Sequence, residues 1–310
     1  MIGSLYKSIA LISPSIEVRL RGLYWDHADF LGQYSINKTN RIHRTEYVDF
    51  ETIVDFLQSC GIGDGSLVVM HSSYGNLKPI SLDNYGIIER LLQLVGKEGT
   101  LAAPVIRHYK EEEKMTHKDI MSNELSRIHC FYDVDNTPIK SGVLAQTLKE
   151  HVGSETSMCP INPLTAVGKY AKNMMEHNID GDSLSAHGIN SCWKFCADHN
   201  AYVIYLGVDF GHHITMQQVF TEANPLNTPP DFYTKRRFTI AYHGASKDII
   251  INERKRSFSK VLPELNVRED IIKSGIVKMT LINQIPVSVF KSNDLLEFYA
   301  SKRKYYPYYI

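Results

Sequence analysis

The side chains able to move a proton or attack a carbonyl carbon fall into three groups. His71-Ser72-Ser73-Tyr74-Gly75 follows the apolar run Leu67 to Met70, and the hydroxyls and main-chain N–H groups of a loop leaving a strand can face an anionic or amide-bearing ligand. His187, His212, His213 and Glu222 form the second group. An imidazole exchanges protons near neutral pH, and a carboxylate can orient it or bind an ammonium group. His212 lies just beyond Gly207-Val208-Asp209, where an apolar run gives way to a loop, so it is the preferred general base or acceptor-binding residue. Cys159 stands alone. A thiol attacks when a cation lowers its pKa, but a cysteine before proline is more simply a small packed side chain.

The elements that must position these groups are legible from hydrophobic periodicity. Thr45 reads as the cap of a helix with Phe50, Ile53, Val54 and Leu57 on one face and Gly61 as its stop. Leu67 to Met70, the polar loop, two apolar-periodic turns to Val95, and Thr100 to Ile106 after Gly96 and Gly99 read as strand, loop, helix, strand. A helix ending near Glu150 is expected with Ser141 as its cap, and further helices at about Lys169 to Asn178 and Trp193 to His199. Ala201 to Val208 is an unbroken apolar run suited to a buried parallel strand. Beyond Pro225, Pro229 and Pro230, alternating residues predict a hairpin around Gly244 and a second joined by Asn283-Gln284-Ile285. Helices and strands first and hairpins last predict an α/β fold, a layered core with a largely parallel or mixed central sheet and C-terminal β-hairpins. Residues 1–45 read as an accessory N-terminal segment and 46–310 as the main domain, hairpin-rich from about 225.

Composition narrows the function classes. Across 310 residues, 34 Lys and Arg balance 34 Asp and Glu, which argues against a broad electrostatic footprint for nucleic acid or anionic membrane. Five cysteines and no secretory pattern predict reduced thiols in a cytoplasmic protein. Cys192 and Cys196 are four apart on an expected helix, but no second pair stands at ligand spacing, so a metal site is not expected. The mildly apolar first dozen residues are too short to span a membrane. Glu111-Glu112-Glu113-Lys114 reads as a solvated face.

Four blocks carry a resemblance: the His71-Ser72-Ser73 loop; the Gly99-Thr100 strand start with Pro104; Thr137-Pro138 with Gly142; and Ala166-Val167-Gly168 with Gly207-Val208 and Thr215. In that order and spacing, over roughly residues 45–300, the chain resembles the aminoglycoside 3-N-acetyltransferase family. The resemblance implies acetyl-CoA or another acyl-CoA as co-substrate, with His71, Ser72, Ser73, Tyr74, Gly75 and Thr100 on the donor side. It implies an amine acceptor of small-molecule size near Thr137, Cys159, His187 and Gln218; a second copy of the chain is the other candidate partner.

The departures from the family pattern bear on the reaction. Acyl transfer to an amine needs a neutral amine, a polarised carbonyl and a base. Family histidine positions align with Asn162 and Cys159, and the helix pair with Gln218 and Thr221, with Glu222 one residue on. Asn and Gln orient and donate but accept no proton at neutral pH. His212 and Glu222 are therefore the expected catalytic groups, with Asn162 orienting acceptor or thioester, and the three should converge over the His71-Ser72-Ser73 loop. Without a histidine at 162, little acetylation of common aminoglycosides is expected. An amino sugar or sugar nucleotide of glycan or natural-product biosynthesis is the expected acceptor; a non-catalytic CoA- or sugar-binding relative and an aminoglycoside 3-N-acetyltransferase conferring antibiotic resistance are the alternatives, and a thioesterase using Cys159 is a distant third.

Overall fold

The structure, a computed structural model, describes residues 8–27, 47–107, 109–112, 125–212, 214–255, 258 and 265–302. Helix α1 (Pro14–Asp26) is followed by α2 (Phe50–Ser59). The cap of α2 is Asp49, whose carboxylate accepts the Glu51 N–H, so the helix starts later than expected, and Thr45 lies outside the described residues. Phe50, Ile53, Val54 and Leu57 are all fully buried, the i, i+3, i+4, i+7 stripe that the sequence shows. Each such side chain removed from water contributes roughly 2 kcal/mol.

Strand β1 (Leu67–Ser72) leads through the half-buried Ser73 loop into α3 (Asn84–Val95) and β2 (Thr100–Pro104). Gly96 ends α3 at φ +68°, and a Cβ there would sit 1.8 Å from Asp64 Oδ1, so only glycine fits this turn. After β3 (Lys110–Glu111) and β4 (His129–Asp133), helix α4 (Val143–Glu150) begins at Gly142. Ser141 does not cap it; its hydroxyl accepts the Ile106 N–H instead. Strands β5 (Glu155–Thr156) and β6 (Leu164–Gly168), helix α5 (Cys192–Asp198) and strand β7 (Tyr202–Leu206) follow, then the short helix α6 (Gln218–Glu222).

The hairpin of β8 (Tyr233–Tyr242) and β9 (Ala245–Arg254) turns at Gly244. Beyond it come α7 (Leu265–Ser274), β10 (Lys278–Ile282), β11 (Ile285–Lys291) and α8 (Ser292–Ser301). Asn283 and Gln284 both take positive φ, as a two-residue hairpin turn requires.

The main sheet runs β10-β11-β7-β1-β2-β6-β5 and a second runs β3-β4-β8-β9. The expected parallel pair is present, with Val68 opposite Tyr202 and Met70 opposite Ile204, and β2 continues it in parallel. The flanking β11 and β6 are antiparallel to their neighbours, so the sheet is mixed, with three parallel strands at its centre. The two C-terminal hairpins part company: β10 and β11 complete the main sheet, whereas β8 and β9 join β4 in the smaller one. One face of the main sheet is covered by α2, α3 and α4 and the other by α5, α7 and α8. Glu17 of α1 is fully buried and its carboxylate accepts the N–H groups of Leu265 and Asn266, closing the start of α7.

Candidate functional site

Because β7, β1 and β2 are parallel, Gly207, Ser73 and Val105 leave the sheet on one edge; β6 runs the other way and so enters from that edge, bringing Asn162 beside them. The Val105 N–H donates to the Pro163 carbonyl at 2.8 Å, fixing the approach. Gly207 takes φ +71°, and a Cβ there would meet Ser73 O at 3.0 Å and Asn76 Cβ at 3.2 Å, so glycine is what lets the two loops touch. Asn76 Nδ2 donates to the Gly207 carbonyl at 2.9 Å.

At this edge lies a buried pair that the sequence did not join. His187 Nδ1 is 2.9 Å from Glu222 Oε1, with side-chain exposures of 1% and 3%. The His187 main-chain N–H faces Glu222 Oε2 at 3.4 Å. An ionised carboxylate only accepts, so Nδ1 carries a ring proton, and in the neutral ring Nε2 then presents its lone pair. Burial pushes the Glu222 carboxyl up, but the His187 charge and hydrogen bond, Arg254 and the Ser185 hydroxyl outweigh it and hold the group below its ordinary value. His187 Nε2 faces Asn162 Nδ2 at 3.4 Å.

Local structure explains how residue 187 reaches residue 222. The stretch from Ser185 is a tight double turn, with Gly188 N bonded to Ser185 O and Ser191 N to Gly188 O. Ser191 then caps α5 by accepting the Lys194 N–H at 3.0 Å. Glu222 ends α6, which packs against α5 and α8. The described geometry is a carboxylate, an imidazole oriented by it and a second ring nitrogen facing the Asn162 carboxamide, an arrangement able to exchange a proton.

The other expected residues separate. Ser72, Ser73 and Tyr74 are half-buried and Gly75 exposed at the carboxyl end of β1, and no hydroxyl of these residues is spent on a hydrogen bond among the described residues. His71 is stacked on Tyr205 (ring centroids 4.8 Å apart) and on Trp193 (6.1 Å), which joins the end of β1 to β7 and α5. Thr100 is corrected: it pairs with Leu67 at the opposite end of the sheet, is fully buried, and its hydroxyl accepts the Tyr170 N–H. Thr137 is buried within its own turn, its hydroxyl accepting the Asp133 N–H and its carbonyl the Arg107 guanidinium at 2.5 Å. Gln218 is half-buried at the start of α6.

Cys159 is buried, its thiol pushed up to about 12 by burial, then by Cys192 nearby, so it supplies no thiolate. Its Sγ donates to the Ile161 carbonyl at 3.5 Å. The backbone of His212 closes the one-turn helix Phe210–His212, while its side chain and all of His213 lie outside the described residues. Of the expected convergence of Asn162, His212 and Glu222, Asn162 and Glu222 are joined through His187, while the His212 side chain lies outside the described residues. It also removes the reason for expecting no base beside residue 162.

Sequence reasoning had His187 among its titratable residues but missed Trp193, whose indole N–H donates to the Asn162 carbonyl at 2.8 Å. An aromatic residue in an apolar helix stripe carries no mark of such a role. Among the described residues no helix is long and apolar enough to cross a membrane.

Residues 69–301 match the family model for aminoglycoside 3-N-acetyltransferase. No curated protein sequence matches the chain. Among solved structures, AAC-IIIb in a binary complex with CoASH is similar over 83% of this chain and 98% of its own, at 17% identity and a TM-score of 0.66. The aminoglycoside acetyltransferase AAC(3)-Xa is similar over 88% and 95%, at 17% identity and a TM-score of 0.65. AAC-VIa bound to sisomicin is similar over 82% and 96%, at 14% identity and a TM-score of 0.64. These likenesses concern the fold.

Proposed function

The chain belongs to the aminoglycoside 3-N-acetyltransferase family, and from that premise we propose that it transfers an acetyl group from acetyl-CoA to an amine of an aminoglycoside-type amino sugar. The observation that carries the reading is the buried His187–Glu222 pair with Nε2 facing Asn162, at the sheet edge from which the Ser72-Ser73 loop also leaves. Family membership favours an aminoglycoside acceptor, and the base that this acceptor requires is supplied by His187.

The donor fits the residues present. Ser72, Ser73 and Tyr74 keep unspent hydroxyls beside an exposed Gly75, a set suited to amide and phosphate oxygens. Bound there, acetyl-CoA supplies a thioester carbonyl open to attack. His187 Nε2 takes a proton from the acceptor ammonium, leaving a neutral amine as nucleophile. Glu222 keeps Nδ1 protonated and stabilises the imidazolium that forms. The Asn162 carboxamide, beside Nε2, orients the amine. The amine nitrogen bonds to the thioester carbonyl carbon and the C–S bond breaks; His187 returns the first proton to the departing thiolate, and the second proton of the amine nitrogen leaves through Nε2 to solvent, so the products are the amide, the free thiol and one released proton.

A sugar nucleotide as acceptor is the second reading, favoured by Arg107. Its guanidinium is 2% exposed, is held by the Val134 and Thr137 carbonyls, and has no carboxylate partner among the described residues. A cation beside the Thr137 turn suits a phosphate-bearing acceptor better than a polycation.

Thiol release from acetyl-CoA, measured with a panel of aminoglycosides and a panel of UDP-linked amino sugars, decides between them. Turnover with aminoglycosides that vanishes in His187→Ala is the expected result. Turnover confined to the sugar nucleotides selects the second reading. Absence of release with both panels, with CoA still bound, identifies a non-catalytic relative, and a fully active His187→Ala overturns the base assignment.

A further inference from the structure

Trp193 is fully buried, yet its one polar atom is not spent inside its own helix. The indole N–H donates at 2.8 Å to the main-chain carbonyl of Asn162. Asn162 has φ +49°, a left-handed conformation that a non-glycine residue holds only where its surroundings enforce it. The following residue is Pro163, which ties into the sheet through the Val105 N–H. The conformation of Asn162 is therefore set from both sides, by the Pro163 tether and by the indole.

That conformation decides where the Asn162 carboxamide lies, and it lies 3.4 Å from His187 Nε2. The same indole ring is 5.8 Å from the His187 ring and 6.1 Å from the His71 ring, centroid to centroid. Trp193 is also the second residue of α5, which starts directly after the Ser185 to Ser191 turn that carries His187. One rigid side chain thus touches the base, the residue facing the base and the histidine of the donor loop.

We infer that Trp193 is a positioning residue of the acyl transfer, acting through Asn162: its indole N–H holds the Asn162 carboxamide against His187 Nε2, and its ring keeps that assembly in register with His71. The inference rests on His187 being the base.

The test is Trp193→Phe, which keeps an aromatic ring and deletes the N–H, combined with Asn162→Ala in a double-mutant cycle. In Trp193→Phe, kcat should fall about ten- to a hundredfold, the range expected when a reacting group is displaced by a fraction of an ångström to an ångström. KM for acetyl-CoA should stay unchanged. In the Asn162→Ala background, Trp193→Phe should cost little more, because the side chain it positions is gone. Additive losses in kcat, or an effect confined to KM or to the melting temperature, overturn the inference and leave only a packing role. Should the phenylalanine variant not fold, site-specific benzothienylalanine at position 193 keeps the shape without the N–H and is read the same way. His187→Ala separates the two claims: if it is inactive and the cycle is additive, only the role of Trp193 fails.

Discussion

Glu222→Gln isolates the charge of the pair while nearly preserving its shape. In the wild type an imidazolium forming at His187 lies 2.9 Å from a carboxylate in a site 1–3% exposed. At an effective dielectric of about 20, unit charges at about 4 Å attract by about 4 kcal/mol. A neutral amide keeps about 1 kcal/mol of that as an ordinary hydrogen bond. The remaining difference of about 3 kcal/mol predicts a fall in kcat of about a hundredfold. KM for acetyl-CoA should not change, since the donor loop at Ser72 and Ser73 belongs to another strand end. Stability carries a second signature. The Glu222 carboxyl is held below its ordinary value in the fold, so its contribution is complete above the unfolded-state pKa of about 4.3 and is lost as pH falls through the lower folded value. The variant should therefore be less stable than the wild type at pH 7, and the gap should close in acid. Steady-state thiol release and thermal melts from pH 3.5 to 8 measure both. A variant with kcat within twofold of wild type at every pH would refute the claim that Glu222 supports the imidazolium.

Ser73→Leu should weaken coenzyme A binding in calorimetric titration with little change in melting temperature; equal affinity would remove this loop from the donor site. Thr100→Val removes the acceptor of the half-buried Tyr170 N–H and should cost about 1 kcal/mol of stability with KM for acetyl-CoA unchanged, and a raised KM would restore Thr100 to the donor side. Cys159→Ser should retain turnover, because burial pushes the thiol up to about 12; abolished turnover in a folded variant would revive the nucleophile. Glu17→Gln removes the carboxylate closing the start of α7 and should destabilise the fold by about 2 kcal/mol, read from urea midpoints, with kcat unaffected.

What the sequence determined by itself is what period and composition encode. The α2 stripe, the β1 loop, the apolar run of β7 and both C-terminal hairpins are visible because burial on one face, or on both, imposes a local repeat. Boundaries were less legible where a side chain found a distant use, as Ser141 does with the Ile106 N–H rather than as a helix cap. The order of four weak motifs identified the family before any coordinates did.

Only the tertiary structure decided the chemistry. His187 and Glu222 stand 35 residues apart and no periodicity links them; their contact follows from α5 and α6 packing on the same face of the sheet. Thr100 looked like part of a donor motif, yet strand direction sends it to the far end of the sheet. Asn162 aligned with a family histidine and so looked like a loss of the base, whereas the fold places His187 Nε2 against it. Sequence records which groups are available, but proton transfer needs two atoms within about 3 Å, and a distance of that kind between residues remote in the chain is set by packing alone.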